Sequence, residues 1–153
     1  MGTIIRLRNH NASEKSDVFI LDLRDGFGGA YPEYIEPFFK QGSKEAIYAK
    51  PLIVLINDGV RSGKEWISYL LKQTKRGTLI GSRTKGYFLA AQTFEIEPHR
   101  FMLYLAVKED PSMPKLEHNG VEPDIEVQTS LPYSAGADPV LERAIQFIEQ
   151  TIK

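Results

Sequence analysis

The chain has 153 residues and a formal net charge of −1, and 42% of its residues are hydrophobic and 25% charged. This composition is typical of a single globular domain, residues 1–153, without the basic block that suits nucleic acid or the run of about 18 apolar residues that spans a membrane. Because there is no cysteine, disulfides, thiolate metal sites and a cysteine nucleophile are excluded.

The first third of the chain predicts strands separated by polar and glycine-rich loops. A short strand over Ile4–Arg8 precedes the apolar run Asp17–Arg24, which is long enough for a buried strand. That run ends on DGFGGA, a turn that glycine makes easily. Apolar spacing suits a helix over Tyr31–Lys40, and Lys50–Asp58 is the clearest buried strand. Since the chain starts almost directly in a strand-like run, we expect a longer natural N-terminus.

The remainder alternates between helical and strand patterns. Helical periodicity over Ser62–Lys75 is followed by a short buried strand, Gly77–Ser82, and Thr93–Val107 has the pattern of a hairpin. Asp138 and Pro139 form a cap and first-turn proline for a terminal helix. Strands alternating with helices predict an α/β fold in which at least part of the sheet is parallel.

Both predicted helices carry an apolar stripe that should pack against the sheet. In the first helix the stripe consists of Trp66, Ile67, Leu70 and Leu71. In the terminal helix it consists of Leu141, Ala144, Ile145, Ile148 and Ile152.

The segment NDGVRSGKE places Ser62 between a buried strand and an amphipathic helix. At a helix N-terminus, unpaired N–H groups and the positive end of the dipole stabilise a developing oxyanion, which suits a serine nucleophile. Ser62 and Glu65 also fit a capping box, in which the serine caps the helix and the glutamate reaches back. Because capping boxes are common, this pattern alone favours capping over catalysis.

Four segments, in order, resemble those of the C-terminal-processing (tail-specific) serine peptidase family. ILDLRDGFGG resembles its strand-plus-glycine motif, and VLINDGVRSGKE resembles its nucleophile segment. LIGSRTKG resembles its V-G-x-x-T-x-G segment, and LEHNGVEPDIEV resembles its closing strand. Together they span roughly Val18 to Val127, which is most of the chain. The variant GVRSGKE, with LPYSAGADPVLERAI near the end, is similar to the tricorn-like bacterial branch of the family.

The resemblance implies a crotonase-like (ClpP-like) fold with ββα units, and an endopeptidase that cleaves peptide or protein substrates through an acyl-enzyme without metal or cofactor. Ser62 matches the nucleophile, and Gly63 would supply one oxyanion-hole N–H. Gly28 and Gly29 would supply the other, although a tight turn with positive φ would need glycine there even without catalysis. The resemblance also favours the periplasm or cell envelope and is compatible with a homo-oligomer.

The general base is where the sequence departs from the family pattern. Tyr87 stands at the position of the lysine found in many members. Lys85 lies two positions earlier and would project from the same face of an extended segment, but a solvated surface lysine is the favoured interpretation. The resemblance to tricorn-like members implies a histidine base that is supported by a glutamate. Glu117 resembles that glutamate in its place in the sequence.

Four other basic residues are weaker candidates for the base. For His10, His99 and His118 a surface or loop role is favoured over catalysis. Lys64 lies two residues along the helix from Ser62 and is therefore expected on a different face.

Three functions remain open at this stage. In the first, an extended peptide lies along a sheet edge and Ser62 attacks its carbonyl. In the second, Tyr87 marks a catalytically degenerate member that binds peptides or proteins without cleaving them. The third is an acyl-CoA enzyme on the same scaffold, which ranks last because it would not need the Ser-Gly-Lys-Glu turn.

Overall fold

The computed structural model describes residues 17–30, 36–38, 48, 50–97, 100–108, 113–128 and 136–151. The elements are strands β1 (Phe19–Asp22), β2 (Leu52–Ile56), β3 (Thr78–Gly81), β4 (Ala90–Ile96), β5 (Phe101–Lys108) and β6 (Ile125–Glu126), helices α1 (Gly63–Gln73) and α2 (Pro139–Thr151), and a 3₁₀ turn (Glu36–Phe38). The predicted strand over Ile4–Arg8 and most of the predicted helix over Tyr31–Lys40 lie outside the described residues.

The strands β1, β2, β3 and β6 form a four-stranded parallel sheet in that spatial order. Parallel sheets are covered on both faces, and their strands are therefore continuously apolar. Along β2, Leu52, Val54 and Ile56 pack in one core cluster with residues of α1. Ile53 and Leu55 pack in a second cluster with residues of α2. The predicted α/β fold with a parallel sheet is confirmed, with one helix on each face.

The face that α1 buries shares only Ile67 and Leu71 with the predicted apolar stripe. Its buried residues are Lys64, Glu65, Ile67, Ser68 and Leu71. Trp66 and Leu70 of the predicted stripe are only half-buried. The buried face therefore carries three polar side chains in the first two turns of the helix, next to the serine turn.

The helix α2 begins as predicted, with Asp138 as its cap. The Asp138 carboxylate accepts a hydrogen bond from the backbone N–H of Leu141 at 3.0 Å. Ala144 of the predicted stripe is buried, but Ile145 is 44% exposed, so that part of the prediction is wrong. No helix in the described part of the chain is long and apolar enough to cross a membrane.

Arg24 joins the end of β1 to the start of α2. Its guanidinium donates to the Asp22 carboxylate at 2.9 and 2.7 Å and to the Asp138 carboxylate at 2.7 Å. Hydrogen bonds to these carboxylates raise the pKa of Arg24. In turn, the hydrogen bond from Arg24 lowers the pKa of Asp138, although burial acts in the opposite direction. This charge-assisted contact fixes α2 at the carboxyl end of β1.

The strands β4 and β5 form a separate antiparallel hairpin, as predicted. Residues paired across the two strands share a face, and one face is almost wholly apolar. Its large apolar side chains are Phe94, Ile96, Phe101, Leu103 and Leu105, and each is between 38% and 59% exposed. None of these side chains belongs to either core cluster.

Candidate active site

Ser62 occupies a sharp turn between β2 and α1. Its φ of 57° and ψ of −135° lie in a region that residues with a side chain rarely adopt. The backbone N–H of Ser62 donates to the carbonyl of Tyr87 at 2.8 Å, which helps to hold this conformation. The hydroxyl makes no hydrogen bond within the described part of the chain and does not cap the helix. A strained strand-to-helix turn of this kind presents a serine hydroxyl for nucleophilic attack.

The capping-box interpretation of Ser62 and Glu65 is wrong. The Glu65 carboxylate does not reach back to Ser62; its Oε1 accepts hydrogen bonds from the hydroxyl of Thr84 at 2.7 Å and the N–H of Gly86 at 2.5 Å. Glu65 is fully buried, and its Oε2 has no hydrogen-bond partner among the described residues. The Glu65 half of the predicted box is therefore engaged elsewhere, and the Ser62 hydroxyl has no hydrogen bond to any described residue.

Gly63 lies directly against the glycine loop, defined here as residues Gly26–Gly29. A Cβ atom added at Gly63 would overlap the carbonyl oxygen of Gly28, the carbonyl carbon of Gly29 and the nitrogen of Ala30. Gly28 has a φ of 88°, which also favours glycine. The hydrogen bonds described for the chain leave the N–H groups of Gly28, Gly29 and Gly63 unused. The structure thus brings together the three glycines predicted for an oxyanion hole.

Lys64 belongs to this arrangement, although sequence reasoning set it aside. Its side chain is buried and its Nζ donates to the carbonyl of Gly29 at 3.0 Å. Burial lowers the pKa of Lys64. Because α1 begins at Gly63, Ser62 is its N-cap, and the described hydrogen bond of Lys64 goes to the glycine loop and not to Ser62. The sequence feature that could have indicated this contact is Gly26, because a glycine at that position leaves room for the aliphatic part of Lys64.

Glu117 lies at the segment that carries Tyr87. Its Oε2 accepts the N–H groups of Phe88 and Leu89 at 2.7 and 2.8 Å, and its side chain is half-buried. The carbonyl of Tyr87 in turn accepts the N–H of Ser62. Glu117 and Ser62 are therefore both hydrogen-bonded to the segment Tyr87–Leu89.

Lys85 is exposed, and its ammonium lies 5.5 Å from the ring centroid of Tyr87. Gly86 has a φ of 74°, so the segment is not the extended strand on which the same-face argument depends. Within the described residues, no hydrogen bond joins Lys85 to Ser62. The assignment of Lys85 as the base stays a prediction.

The histidines fall into two groups. His118 is exposed and has a φ of 63° in the turn that follows Glu117. Its backbone N–H donates to the carbonyl of Gly86 at 2.8 Å, so its main chain lies near the site. No hydrogen bond of its side chain is described. His10 and His99 lie outside the described residues.

A comparison with protein families gives a match to the model described as Peptidase family S41 over residues 33–127, more than half of the chain. The chain belongs to peptidase family S41. Three of the four segments that carry the resemblance fall within the match, whereas the glycine loop precedes it. The predicted membership of the C-terminal-processing family is confirmed by its relatives.

The S41 chain is similar to carboxyl-terminal-processing peptidase 2 of Arabidopsis thaliana chloroplasts, with 29% identity over 149 residues covering 82% of the chain and 28% of the relative. It is 28% identical to the carboxyl-terminal-processing protease of Synechocystis over 144 residues, covering 80% of the chain and 34% of the relative. Tricorn protease from Thermoplasma volcanium is 31% identical over 107 residues, or 64% of the chain and 10% of the relative. The chain thus spans about a third or less of each relative.

Two solved structures share the fold of the S41 chain. The photosystem II D1 C-terminal processing protease has a TM-score of 0.61 at 24% identity, covering 85% of this chain and 42% of that one. The tricorn protease crystal structure has a TM-score of 0.69 at 22% identity, covering 88% and 15%. The tricorn matches support the predicted tricorn-like branch in part, since the chloroplast relative covers more of the chain in sequence.

Proposed function

We propose that this chain is the catalytic part of a serine endopeptidase that cleaves peptide bonds through an acyl-enzyme on Ser62. The observation that carries the proposal is the left-handed Ser62 turn, in which the hydroxyl has no hydrogen bond to a described residue and the next residue, Gly63, lies against the glycine loop. Family membership supports the peptidase class, because S41 is a family of serine peptidases. The substrate is a peptide or protein in an extended conformation.

In the proposed reaction, Ser62 Oγ attacks the scissile carbonyl and forms a new C–O bond while its proton passes to a base. The carbonyl electron pair moves to oxygen, and the resulting oxyanion accepts hydrogen bonds from Gly63 N–H and from the N–H groups of Gly28 and Gly29. Collapse breaks the C–N bond, and the leaving amine takes the proton from the base. Water then hydrolyses the ester and restores the Ser62 hydroxyl.

Two residues remain candidates for the proton-transfer part of the site, Glu117 as the support of a base and Lys85 as the base itself. Glu117 has one carboxylate oxygen, Oε1, with no described hydrogen bond, which suits the support of a proton-carrying group beside Tyr87. Lys85 would have to leave the Tyr87 ring to approach Ser62. A lysine base must also be neutral in the resting site, which calls for desolvation that an exposed position does not provide.

The finer fold assignment belongs to the same proposal. A parallel sheet covered by one helix on each face supports a crotonase-like (ClpP-like) fold, as do the similarities to two S41 protease structures. We also propose that residues 1–153 form a single catalytic domain, because the two core clusters share the same sheet.

A second candidate function is peptide binding without cleavage. The observation in its favour is Tyr87, which replaces the lysine of many family members with a ring that is 56% exposed. In that case the glycine loop and the Ser62 turn would serve only to bind an extended peptide.

Labelling with a fluorophosphonate probe tests the proposal, with the label located by mass spectrometry. We expect one label per chain on Ser62 and none in Ser62→Ala, because the probe requires an activated serine beside oxyanion donors. The absence of labelling between pH 6 and pH 9 would favour the second candidate. Binding of a labelled peptide library, measured on the same preparation, then shows whether the cleft still takes peptides.

A further inference from the structure

We propose that Lys64 is a positioning residue that holds the glycine loop against the Ser62 turn and so aims the N–H groups of Gly28 and Gly29 at the oxyanion. The inference rests on the proposed function, because it concerns the same site. It adds a side chain to a constellation otherwise built from main-chain groups.

Lys64 spans the glycine loop from one end to the other. A Cβ atom at Gly26 would lie 3.1 Å from Lys64 Cγ, so the lysine stem packs over the start of the loop. Its Nζ then donates to the carbonyl of Gly29 at 3.0 Å, at the end of the loop. The side chain is 8% exposed, so nearly all of its stem is removed from water.

Four described contacts join the glycine loop to the Ser62 turn and the start of α1, and one of them is the Arg61 guanidinium, 5.0 Å from the ring centroid of Phe27. At the start, the N–H of Arg61 donates to the carbonyl of Gly26 at 3.0 Å. In the middle, the backbone of Gly28 lies against Gly63. At the end, the Lys64 ammonium supplies the single side-chain contact described between the loop and α1.

A loop with three glycines among its four residues needs such a contact. Glycine loses more conformational freedom on folding than any other residue, so the loop is intrinsically loose. An oxyanion hole works because its donors are already aimed before charge develops. A hydrogen bond from an ammonium group is stronger than one between neutral groups, and it fixes the peptide plane that follows Gly29.

The burial of Lys64 also needs an explanation, because lysine is almost never buried without a partner. Lys72 on the same helix offers a direct comparison. Its Nζ also donates to main-chain carbonyls, those of Glu122 and Pro123, and it forms an ion pair with Asp124 at 3.2 Å. Lys72 fastens a loop next to β6, whereas Lys64 fastens the loop next to Ser62.

The test compares Lys64→Met and Lys64→Arg with Lys72→Met as the matched control. Amide hydrogen exchange over residues 23–30 reports on loop order, and the second-order rate of phosphonylation by a fluorophosphonate between pH 6 and pH 9 reports on the site. We expect Lys64→Met to speed exchange in the loop about tenfold and to slow phosphonylation about 10- to 100-fold, since the donors are misaimed rather than removed. Lys64→Arg should recover part of both, and Lys72→Met should change neither.

The pH profile separates positioning from proton transfer. A positioning residue moves no proton, so the pH profile of phosphonylation in Lys64→Met should keep the wild-type shape at a lower rate. Loss of the rate increase towards high pH in Lys64→Met would overturn the proposal and make Lys64 a base, and a wild-type rate of phosphonylation in Lys64→Met would overturn it as well. If the unsubstituted protein is not phosphonylated, the proposed function fails, while the exchange data still decide whether Lys64 orders the loop.

Discussion

The Glu65 carboxylate accepts a hydrogen bond from the hydroxyl of Thr84 at 2.7 Å, across 19 positions of the chain. The same oxygen also accepts the N–H of Gly86. The next residue, Tyr87, offers the carbonyl that holds the N–H of Ser62. Glu65, which has the spacing of a capping-box residue, therefore helps to hold the serine turn in place. It does so indirectly, by binding the segment Thr84–Tyr87 that follows β3.

Two substitutions of Glu65 should show how much of its contribution to stability comes from its hydrogen-bond acceptor oxygen. We expect Glu65→Ala to lower the free energy of unfolding by about 2–4 kcal/mol, because it leaves the Thr84 hydroxyl and the Gly86 N–H buried without an acceptor. Glu65→Gln retains an acceptor of the same shape and should lose about 1 kcal/mol. Urea denaturation measures both, and equal losses in the two variants would refute this account.

Two substitutions at Ser62 test the shape of the turn. Because the hydroxyl makes no cap bond, Ser62→Ala should change the free energy of unfolding by less than about 0.5 kcal/mol, whereas the loss of a real cap costs about 0.5–2 kcal/mol. Ser62→Gly should be more stable than Ser62→Ala by about 1 kcal/mol, because glycine tolerates a φ of 57°. Thermal unfolding of the pair measures the difference, and a less stable glycine variant would contradict the left-handed geometry.

Gly63 and Gly28 allow a steric effect to be separated from a conformational one. Gly63→Ala drives a methyl group into the glycine loop, and we expect it to lower the free energy of unfolding by more than about 2 kcal/mol. Gly28→Ala meets no atom within 4 Å and is strained only by its φ of 88°, so it should lose about 1 kcal/mol. Chemical denaturation compares them, and a milder effect at Gly63 would argue against the close contact.

The Arg24–Asp138 contact predicts a dependence of stability on acid pH. The pKa of Asp138 lies below its usual value near 3.8, chiefly because Arg24 donates to its carboxylate. A depressed pKa in the folded state contributes stability above the unfolded pKa, and that contribution disappears as the pH falls through the folded value. Asp138→Asn keeps a good helix cap but removes the charge. Between pH 5 and pH 2 we therefore expect a steeper loss of stability in the wild type than in Asp138→Asn, and parallel curves would be the contrary result.

Local patterns in the sequence predicted most of the sheet. The apolar runs at Phe19–Asp22 and Leu52–Ile56 became parallel strands because each is long enough to be covered on both faces. The Asp138 cap and the β4–β5 hairpin were also found, since their signals are confined to a few neighbouring residues. The prediction that Ile145 packs against the sheet was wrong, because an apolar stripe on a helix does not specify how wide the buried face is.

The candidate site was predicted in part, and the contacts that were not predicted join residues far apart in the sequence. The family segments located Ser62 and the three glycines, which the fold brings together. The capping box failed because residues 84–87 return to the start of α1 and take up the partners that a local motif assumes. Lys64 was missed for a related reason: its acceptor lies 35 positions earlier.

The turn that carries Ser62 is fixed mainly by the chain's own main-chain groups: the carbonyl of Tyr87, the backbone of the glycine loop, and the left-handed serine itself. The bond from Ser62 uses the carbonyl of Tyr87, which every residue type at position 87 would provide. Tyrosine can therefore stand there in place of the lysine of many family members without loss of this hydrogen bond. In the proposed enzyme, the placement of the serine is thus independent of which side chain serves as the base.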